Sequence, residues 1–415
     1  MTSTPCFLVI GYNNTRIYDV RTIRDISRRE YRAKVVLITE QAKPQDRAAA
    51  DEVLVTPFGP IERAVERICG LLRGLGLRPI GVLPFADRGV QLGAVLARRL
   101  GLPGADPSRA AAGFDKRRFR EIEASAPAHP SGYTRLPSLP VGTLGELEAA
   151  VERLGGTAFV KPAAEGNSRG CQIISGTTMC REAWAALAPY REAGVLVEEL
   201  VRDAREYSWD FVGGARWLTA KLTSQDRFRA EIQQIVPAPL APEESAALDE
   251  CGEHMRQLVS AGNGAFHNEL FLREDGVTAV ETNMRPAGMR IWDLARLAFA
   301  DFDPWRAWLR WSAGGGMRLR RPVARAVSGI RMLRAPRDGV LAALPDVPAL
   351  AAELGIPLHE AAFTASASDR VRADVADNAA FIGHIMLVAY DAQTLVERLD
   401  RLSAAVEKQI VVHAR

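Results

Sequence analysis

The first hundred residues alternate four short apolar runs, FLVI at 7–10, KVVLIT at 34–39, DEVLVT at 51–56 and IGVLPF at 80–85, with segments of helical period. In IERAVERICGLLRGL (61–75) and GVQLGAVLARRLG (89–101) apolar residues recur every three to four positions, as on one face of a helix. Strands that alternate with helices pair in parallel, because each helix carries the chain back before the next strand begins. This pattern predicts an α/β fold that opens with a doubly wound parallel sheet. A dinucleotide site after the first strand would need GxGxxG, whereas IGYNNTR offers Gly11 alone. The α/β start therefore carries no signal for a nicotinamide cofactor.

With 415 residues the chain has room for two to four domains. Around GLPGADPSRAAAGFDKRRFREI (101–122) glycine and proline end the alternation, and Asp115 is placed to cap the helix that follows. Residues 156–237 read as strands and turns, 245–260 as a helix, 266–283 as a strand pair, and the tryptophan-rich stretch up to AGGG (313–316) as helical. The segment RLRRPVARAVSGIRMLRAPR (318–337) alternates arginine with apolar residues and predicts a sheet with one solvated face, and LVERLDRLSAAVEKQIVV (395–412) a closing helix and strand. No internal repeat is present.

Lys and Arg total 53 against 50 Asp and Glu, so no global basic field points to nucleic acid or an anionic membrane. Cys6, Cys69, Cys171, Cys180 and Cys251 are scattered, with no CxxC pair and no histidine at metal-ligand spacing. A reducing compartment, the cytoplasm, is the expected location, and no run approaches the roughly 18 apolar residues of a membrane span.

Two segments carry chemistry. In FVKPAAEGNSRGCQII (159–174) an apolar run delivers Lys161, breaks into a polar loop containing Gly166, Ser168, Arg169 and Gly170, and resumes as an apolar run. A P-loop would place its lysine after the glycines and run into a helix. This segment predicts a β-hairpin with a polar tip, either a plain surface hairpin or a lid over a phosphate chain. The second segment is HNELFLREDGVTAVETNMRPAG (267–288). With Glu274, Asp275 and Gly276 as the loop, Arg273 faces Val277, Glu269 faces Glu281 and His267 faces Asn283. Leu270, Leu272, Thr278 and Val280 then form a core face. Two glutamates directly opposite repel each other, and a divalent cation relieves that, since magnesium takes carboxylate and amide oxygens. A solvated strand edge is the other reading.

A lysine on a strand, a glycine hairpin, EE at 198–199, and E, E and N on a strand pair follow the order of the ATP-grasp superfamily, which the chain resembles from about Lys116 to Gly288. DRFRAEIQQIVPAPL (226–240) and VETNMRPAG (280–288) look most like the carboxylate-amine ligase branch, whose members join amino acids into dipeptides or related amides. The resemblance implies ATP and magnesium or manganese as cofactors. It implies that Lys116 and Lys161 contact the phosphates, and that Glu165, Gly166, Ser168, Arg169 and Gly170 belong to a lid at 165–171. Glu199 and the backbone near Val201 would meet adenine, Glu206 the ribose, and Glu269, Glu281 and Asn283 two metal ions. Arg285 would lie by the transferring phosphoryl group and the tetrahedral intermediate, with His267, Arg285 and Gly288 near substrate; Arg290, in MRIWDLARL just after the motif, reads either as the holder of a substrate carboxylate or as a helix-surface arginine.

The domains implied are an N-terminal α/β domain (1–112), a lid subdomain (113–198), a large subdomain with the metal site (199–317) and a C-terminal α+β domain (318–415). Partners would be a small carboxylate and a small amine, with neither nucleic acid nor membrane, and a homodimer as the candidate assembly. Two alternatives stand beside a free-substrate ligase: an acceptor held on a carrier protein or biosynthetic intermediate, and a non-catalytic ATP-binding regulator. Two departures from the pattern concern the turn before Glu206, which reads RDAR where relatives carry glycine, and Gln233 and Gln234, where a glycine and a histidine are common. The second puts the substrate in question. Trp292, Trp305, Trp308 and Trp311 read as helix packing.

Overall fold

The computed structural model describes residues 3–12, 16–224 and 228–414. Strands β1 (Thr4–Ile10), β2 (Lys34–Thr39), β3 (Glu52–Val55) and β4 (Leu77–Pro84) form a parallel sheet in the order β3-β2-β1-β4. All four predicted strands are present. Their side chains split by parity: Cys6, Leu8 and Ile10 pack on the helices Ile61–Gly74 and Gly89–Leu100, whereas Phe7 and Val9 pack against Val20 and Ile23 of helix Ile17–Ile26. Both faces are covered, which is why these strands are almost uninterruptedly apolar.

After the short β5 (Tyr133–Thr134), an antiparallel sheet of β6 (Ser138–Val141), β7 (Thr157–Pro162), β8 (Gln172–Ser175) and β9 (Val195–Glu199) runs in the order β6-β9-β7-β8. The glycine loop joins β7 to β8, so the predicted hairpin is correct. Asp115 caps helix Lys116–Ala124 by accepting from the Arg117 amide.

The remaining strands are β10 (Arg205–Val212), β11 (Ala215–Thr223), β12 (Glu231–Val236), β13 (Ala265–Arg273), β14 (Gly276–Asn283), β15 (Val327–Leu333), β16 (Gly339–Ala343), β17 (Leu358–Phe363), β18 (Arg370–Val371), β19 (Gly383–Ala389) and β20 (Val411–His413). Most join a nine-stranded sheet ordered β17-β19-β15-β12-β11-β10-β13-β14-β5, while β18-β16-β20 form a separate small sheet. One face of the large sheet receives helix Ala392–Gln409, with Leu395 and Leu399 packed on Ile385 and Leu387. The opposite face carries the site. Trp292, Trp305, Trp308 and Trp311 are all buried in the core between this sheet and the parallel sheet, where Trp305 meets Phe85 edge-on at 5.9 Å.

Two expectations are corrected. The arginine run does not form a sheet with one solvated face: residues 317–326 lack regular strand structure, with Arg321 paired to Asp249 and the Arg320 guanidinium 5.1 Å from the Phe302 ring. Pairing begins at Val327, and β15 lies between β12 and β19 with Ile330 buried in the core on the site face and Gly329 beneath Leu395 on the other. The loop of the β13–β14 hairpin is also one residue shorter than predicted. Arg273 pairs with Gly276, not Val277, because Gly276 at φ +142° packs its backbone against Gly132, where a Cβ would clash.

Candidate active site

A bulge at Val280 restores the pairing that the shorter loop would have shifted, so Glu269 faces Glu281 and His267 faces Asn283. The bulge turns the Val280 carbonyl to Arg120, which donates to it at 3.0 Å. The core face of the hairpin is therefore Leu270, Leu272, Val277 and Ala279; Thr278 lies on the other face opposite Phe271, and Val280 is the bulge residue, not a core position. Parity carries the site face across the sheet: Glu281 and Asn283 on β14, His267 and Glu269 on β13, Glu206, Ser208 and Asp210 on β10, Thr219 and Lys221 on β11, and Gln234 on β12.

Each facing glutamate is neutralised by a lysine. Lys116 Nζ lies 2.8 Å from Glu281 Oε2 and also donates to the Glu165 carbonyl at the start of the glycine loop, at 2.8 Å. Glu281 Oε1 accepts from Asn283 Nδ2 at 2.9 Å. On the other side Lys221, only 1% exposed in its side chain, reaches Glu206 (2.8 Å), Glu231 (2.5 Å) and Glu269 (2.8 Å). Burial opposes its charge, but the three carboxylates outweigh burial and hold the ammonium well above its ordinary pKa. Among those partners burial raises Glu206, while Lys221 and His267 overcome burial at Glu269 and hold it well below the carboxylate range.

His267 is also fixed from two sides. Its Nδ1 is 2.8 Å from Asp210 Oδ1 and its Nε2 is 3.2 Å from Glu269 Oε1. Asp210 is fully buried and takes the hydroxyls of Ser208 (2.8 Å) and Thr219 (2.7 Å). Burial would discharge the imidazole, yet Asp210 and Glu269 push its pKa up to about 9. His267 is thus a cation at neutral pH.

Lys161 meets Glu198 Oε2 at 2.5 Å, and Arg120 Nε donates to Glu198 Oε1 at 2.9 Å. Burial raises Glu198, but the two cations win and bring it to about 2. The buried member of the EE pair is therefore Glu198, and Glu199 is only partly buried at the end of β9, two residues before Val201. Glu206 is the second residue of β10, which follows a turn in which Asp203 adopts φ +51°. Aspartate tolerates this left-handed conformation, which accounts for the missing glycine.

Beyond Asn283 the chain turns over the parallel sheet. Arg285 Nε donates to Asp87 Oδ1 at 2.5 Å, and its Nη2 to Asn283 Oδ1 at 3.4 Å. Arg16 donates to the Pro286 carbonyl at 3.3 Å, anchoring the loop that leads to Gly288. Met289 (φ +48°) and Arg290 (φ +59°) are both left-handed, a conformation that costs on the order of 1–3 kcal/mol each and marks functional loops. The strain aims Arg290 at Glu360 (2.7 Å) and Asp293 (2.9 Å) and over the Tyr18 ring at 4.5 Å. His384 lies 3.2 Å from Glu360. Gln233 faces the opposite side of the sheet and accepts from Arg331, whereas Gln234 is fully buried on the site face, its amide nitrogen and oxygen both without a hydrogen-bond partner among the described residues.

The glycine loop stands over this face. A Cβ on Gly166 would lie 3.3 Å from Asp87 Oδ2, Arg169 pairs with Glu165 at 3.4 Å, and Asn167 and Ser168 are left-handed at φ +61° and +59°. Gly170, at φ +71°, packs against Pro162 and Tyr190.

Sequence reasoning had placed Lys116, Lys161, Glu206, His267, Glu269, Glu281, Asn283 and Arg285 near one another, and the structure gathers them on and beside one sheet face. It missed Asp87, Glu198, Asp210, Lys221 and Glu231. Asp226 and Arg227 of the DRFRAEIQQ segment lie outside the described residues.

The architecture is a mixed α/β layout in which a glycine-containing hairpin stands over a large antiparallel sheet. No protein-family model matches the sequence, and no curated protein matches it. Solved structures do match in fold. L-amino acid ligase from Bacillus licheniformis superposes with a TM-score of 0.77 over 100% of both chains at 15% identity. N5-carboxyaminoimidazole synthase from Aspergillus clavatus, in complex with ADP and 5-aminoimidazole ribonucleotide, gives 0.70 at 16% identity over 98% of this chain and 100% of its own. The biotin carboxylase domain of the Hydrogenobacter thermophilus 2-oxoglutarate carboxylase, in complex with MgADP, ADP and bicarbonate, gives 0.66 at 15% identity over 98% and 90%. No described helix is long and apolar enough to cross a membrane.

Proposed function

We propose that the chain is an ATP-dependent carboxylate-amine ligase that joins two amino acids through an acyl phosphate, releasing ADP and phosphate. The observation that carries this reading is the pairing of Glu269 with Glu281, with Asn283 two residues on, each glutamate already countered by a lysine. A face that gathers carboxylates and cations in this order suits a polyphosphate chain with its metal. The full-length likeness to an L-amino acid ligase supports the amino-acid substrate.

No set of three His, Cys, Asp or Glu side chains poised around a metal occurs among the described residues. Two carboxylates and an amide oxygen are nevertheless the hard donors that magnesium takes when substrate phosphates complete its shell. Glu269, Glu281 and Asn283 would hold it, and it would supply positive charge to the β and γ phosphate oxygens. Lys161, fixed by Glu198, and Lys116 would counter the remaining phosphate charge, with Glu206 on the ribose and the 199–201 segment along adenine. Residues 165–171 would close over the phosphates and exclude water.

The chemistry then balances in two steps. A carboxylate oxygen attacks the γ phosphorus, its bond to the β-bridging oxygen breaks, and ADP leaves. The amine attacks the activated carbonyl, the tetrahedral oxyanion is held by Arg285, and phosphate departs with the former carboxylate oxygen and takes up the proton that the amine nitrogen loses. Arg285 is oriented for this by Asp87. His267, held between Asp210 and Glu269, would fix the orientation of Glu269. Arg290 would hold a substrate carboxylate in place of Glu360, and Gln234 would present an amide to the substrate end.

The test is a pairwise screen of amino acids with ATP and magnesium, measuring phosphate release and new amide mass. Phosphate release dependent on two amino acids, with a dipeptide product, is expected. Release that ignores every added amine, with no new amide, would turn the reading toward a carrier-bound acceptor, and no release with any pair toward a non-catalytic ATP binder.

A further inference from the structure

The lid tip is bonded to a loop of the C-terminal region that reaches the metal face. The backbone carbonyl of Asn167 accepts from the backbone amide of Asn378 at 3.3 Å. Asn378 then clamps Glu231 with both ends of its side chain: Oδ1 accepts from the Glu231 amide at 3.1 Å and Nδ2 donates to Glu231 Oε2 at 2.9 Å. The other oxygen of Glu231 holds Lys221, which holds Glu206 and Glu269. A small apolar cluster of Val375 and Phe381 with Ala230 and Ile232 seats the loop against the start of β12. The line from lid tip to metal ligand is thus Asn167, Asn378, Glu231, Lys221, Glu269, every link a hydrogen bond or ion pair.

We infer that Asn378 is a positioning residue that ties closure of the glycine loop to the placement of Glu206 and Glu269, so that phosphoryl transfer is allowed only beneath a closed lid. This rests on the ligase reading above. Chemistry gives the reason for such a link: an activated carboxylate formed under an open lid is lost to water, so turnover uncoupled from closure consumes ATP without forming amide. An asparagine suits the link because one side chain both donates and accepts, satisfying the Glu231 amide and carboxylate together. Asn378 itself touches neither phosphate nor substrate in this scheme.

The experiment compares wild type, Asn378→Ala and Asn378→Asp. The Asp variant keeps the acceptor and the size but sets a carboxylate against Glu231. Three quantities are read: hydrogen exchange at 165–171 with a non-hydrolysable ATP analogue and magnesium, amide formed per phosphate released, and the thermal unfolding midpoint. The expected result is an unfolding midpoint near wild type, about tenfold lower lid protection with the analogue bound, and several-fold less amide per phosphate, larger for Asp than for Ala. Wild-type values of lid protection and of amide per phosphate in both variants would overturn the link while leaving the ligase reading intact. A wild-type enzyme that shows neither nucleotide-dependent protection nor amide overturns the ligase reading, and the link with it.

Discussion

The two ends of the same sheet face are built differently. At the β10–β13–β14 end the charged side chains are paired with opposite charges: Glu281 with Lys116, Glu269 with Lys221 and His267, His267 with Asp210. At the β12–β17 end the polar groups are sparse and drawn from distant parts of the chain, with Arg290 on Glu360, His384 beside Glu360, and Gln234 with no partner among the described residues. In the proposed function the first end meets a ligand whose charge does not vary, a triphosphate with its metal, and its residues would answer that charge. In that reading the second end would meet the substrate, and one departure from the ATP-grasp pattern, Gln234, lies there. Substitutions at the first end should therefore abolish turnover or stability, and those at the second should change which substrates are used.

The largest effect is expected at Lys221. Lys221→Met leaves Glu206, Glu231 and Glu269 without their shared cation, and removing one partner of a buried ionic group costs on the order of 3–5 kcal/mol. Urea unfolding should show it; a loss below about 1 kcal/mol would mean that the three carboxylates are not held by Lys221. Glu281→Gln should fold normally, since Glu281 stands on a polar face, yet lose about two to three orders of magnitude in phosphate release. Near-normal release would remove Glu281 from the metal set.

Acid–base behaviour sharpens the same contrast. His267 has a folded pKa of about 9 against an ordinary 6.5, so its stabilisation is fully present below pH 6.5 and is lost as pH rises through 9. The stability advantage of wild type over His267→Gln should fall by on the order of 3 kcal/mol across that window. A constant difference would mean that Asp210 does not hold a charged imidazole. The smallest effect is expected at the other end: Arg290→Ala should raise KM for one amino-acid substrate about tenfold while leaving KM for ATP unchanged. A shift confined to ATP would place Arg290 at the nucleotide instead.

How much of this could be read from the sequence follows the same division. The pairing of Glu269 with Glu281 was legible because hairpin counting works, although two departures cancelled: the loop is one residue shorter and the Val280 bulge adds one back. The parallel sheet was legible because strands buried on both faces must be apolar throughout. Lys221 was not, because its partners lie on β10, β12 and β13 and only the strand order brings them together. Asp87 reaches Arg285 from the end of β4, in another part of the fold altogether. Glu198 was within reach: it lies on the same face of the β6–β9–β7–β8 sheet as Lys161, and counting in twos from that lysine across the β7–β9 register selects Glu198 over Glu199. The arginine run misled because arginine alternation marks a solvated strand only where no helix covers it, and helix Ala392–Gln409 covers β15.

The central claim is that the carboxylate is activated by phosphorylation. A carboxylate substrate labelled with oxygen-18 in both oxygens, turned over with ATP, magnesium and an amine, tests it most directly by mass analysis of the released phosphate and of the nucleotide. One labelled oxygen in each phosphate, with ADP as the nucleotide product and amide formed in equal amount, is the predicted result. AMP as the product, or unlabelled phosphate alongside amide, would contradict the account even with every contact of the site in place.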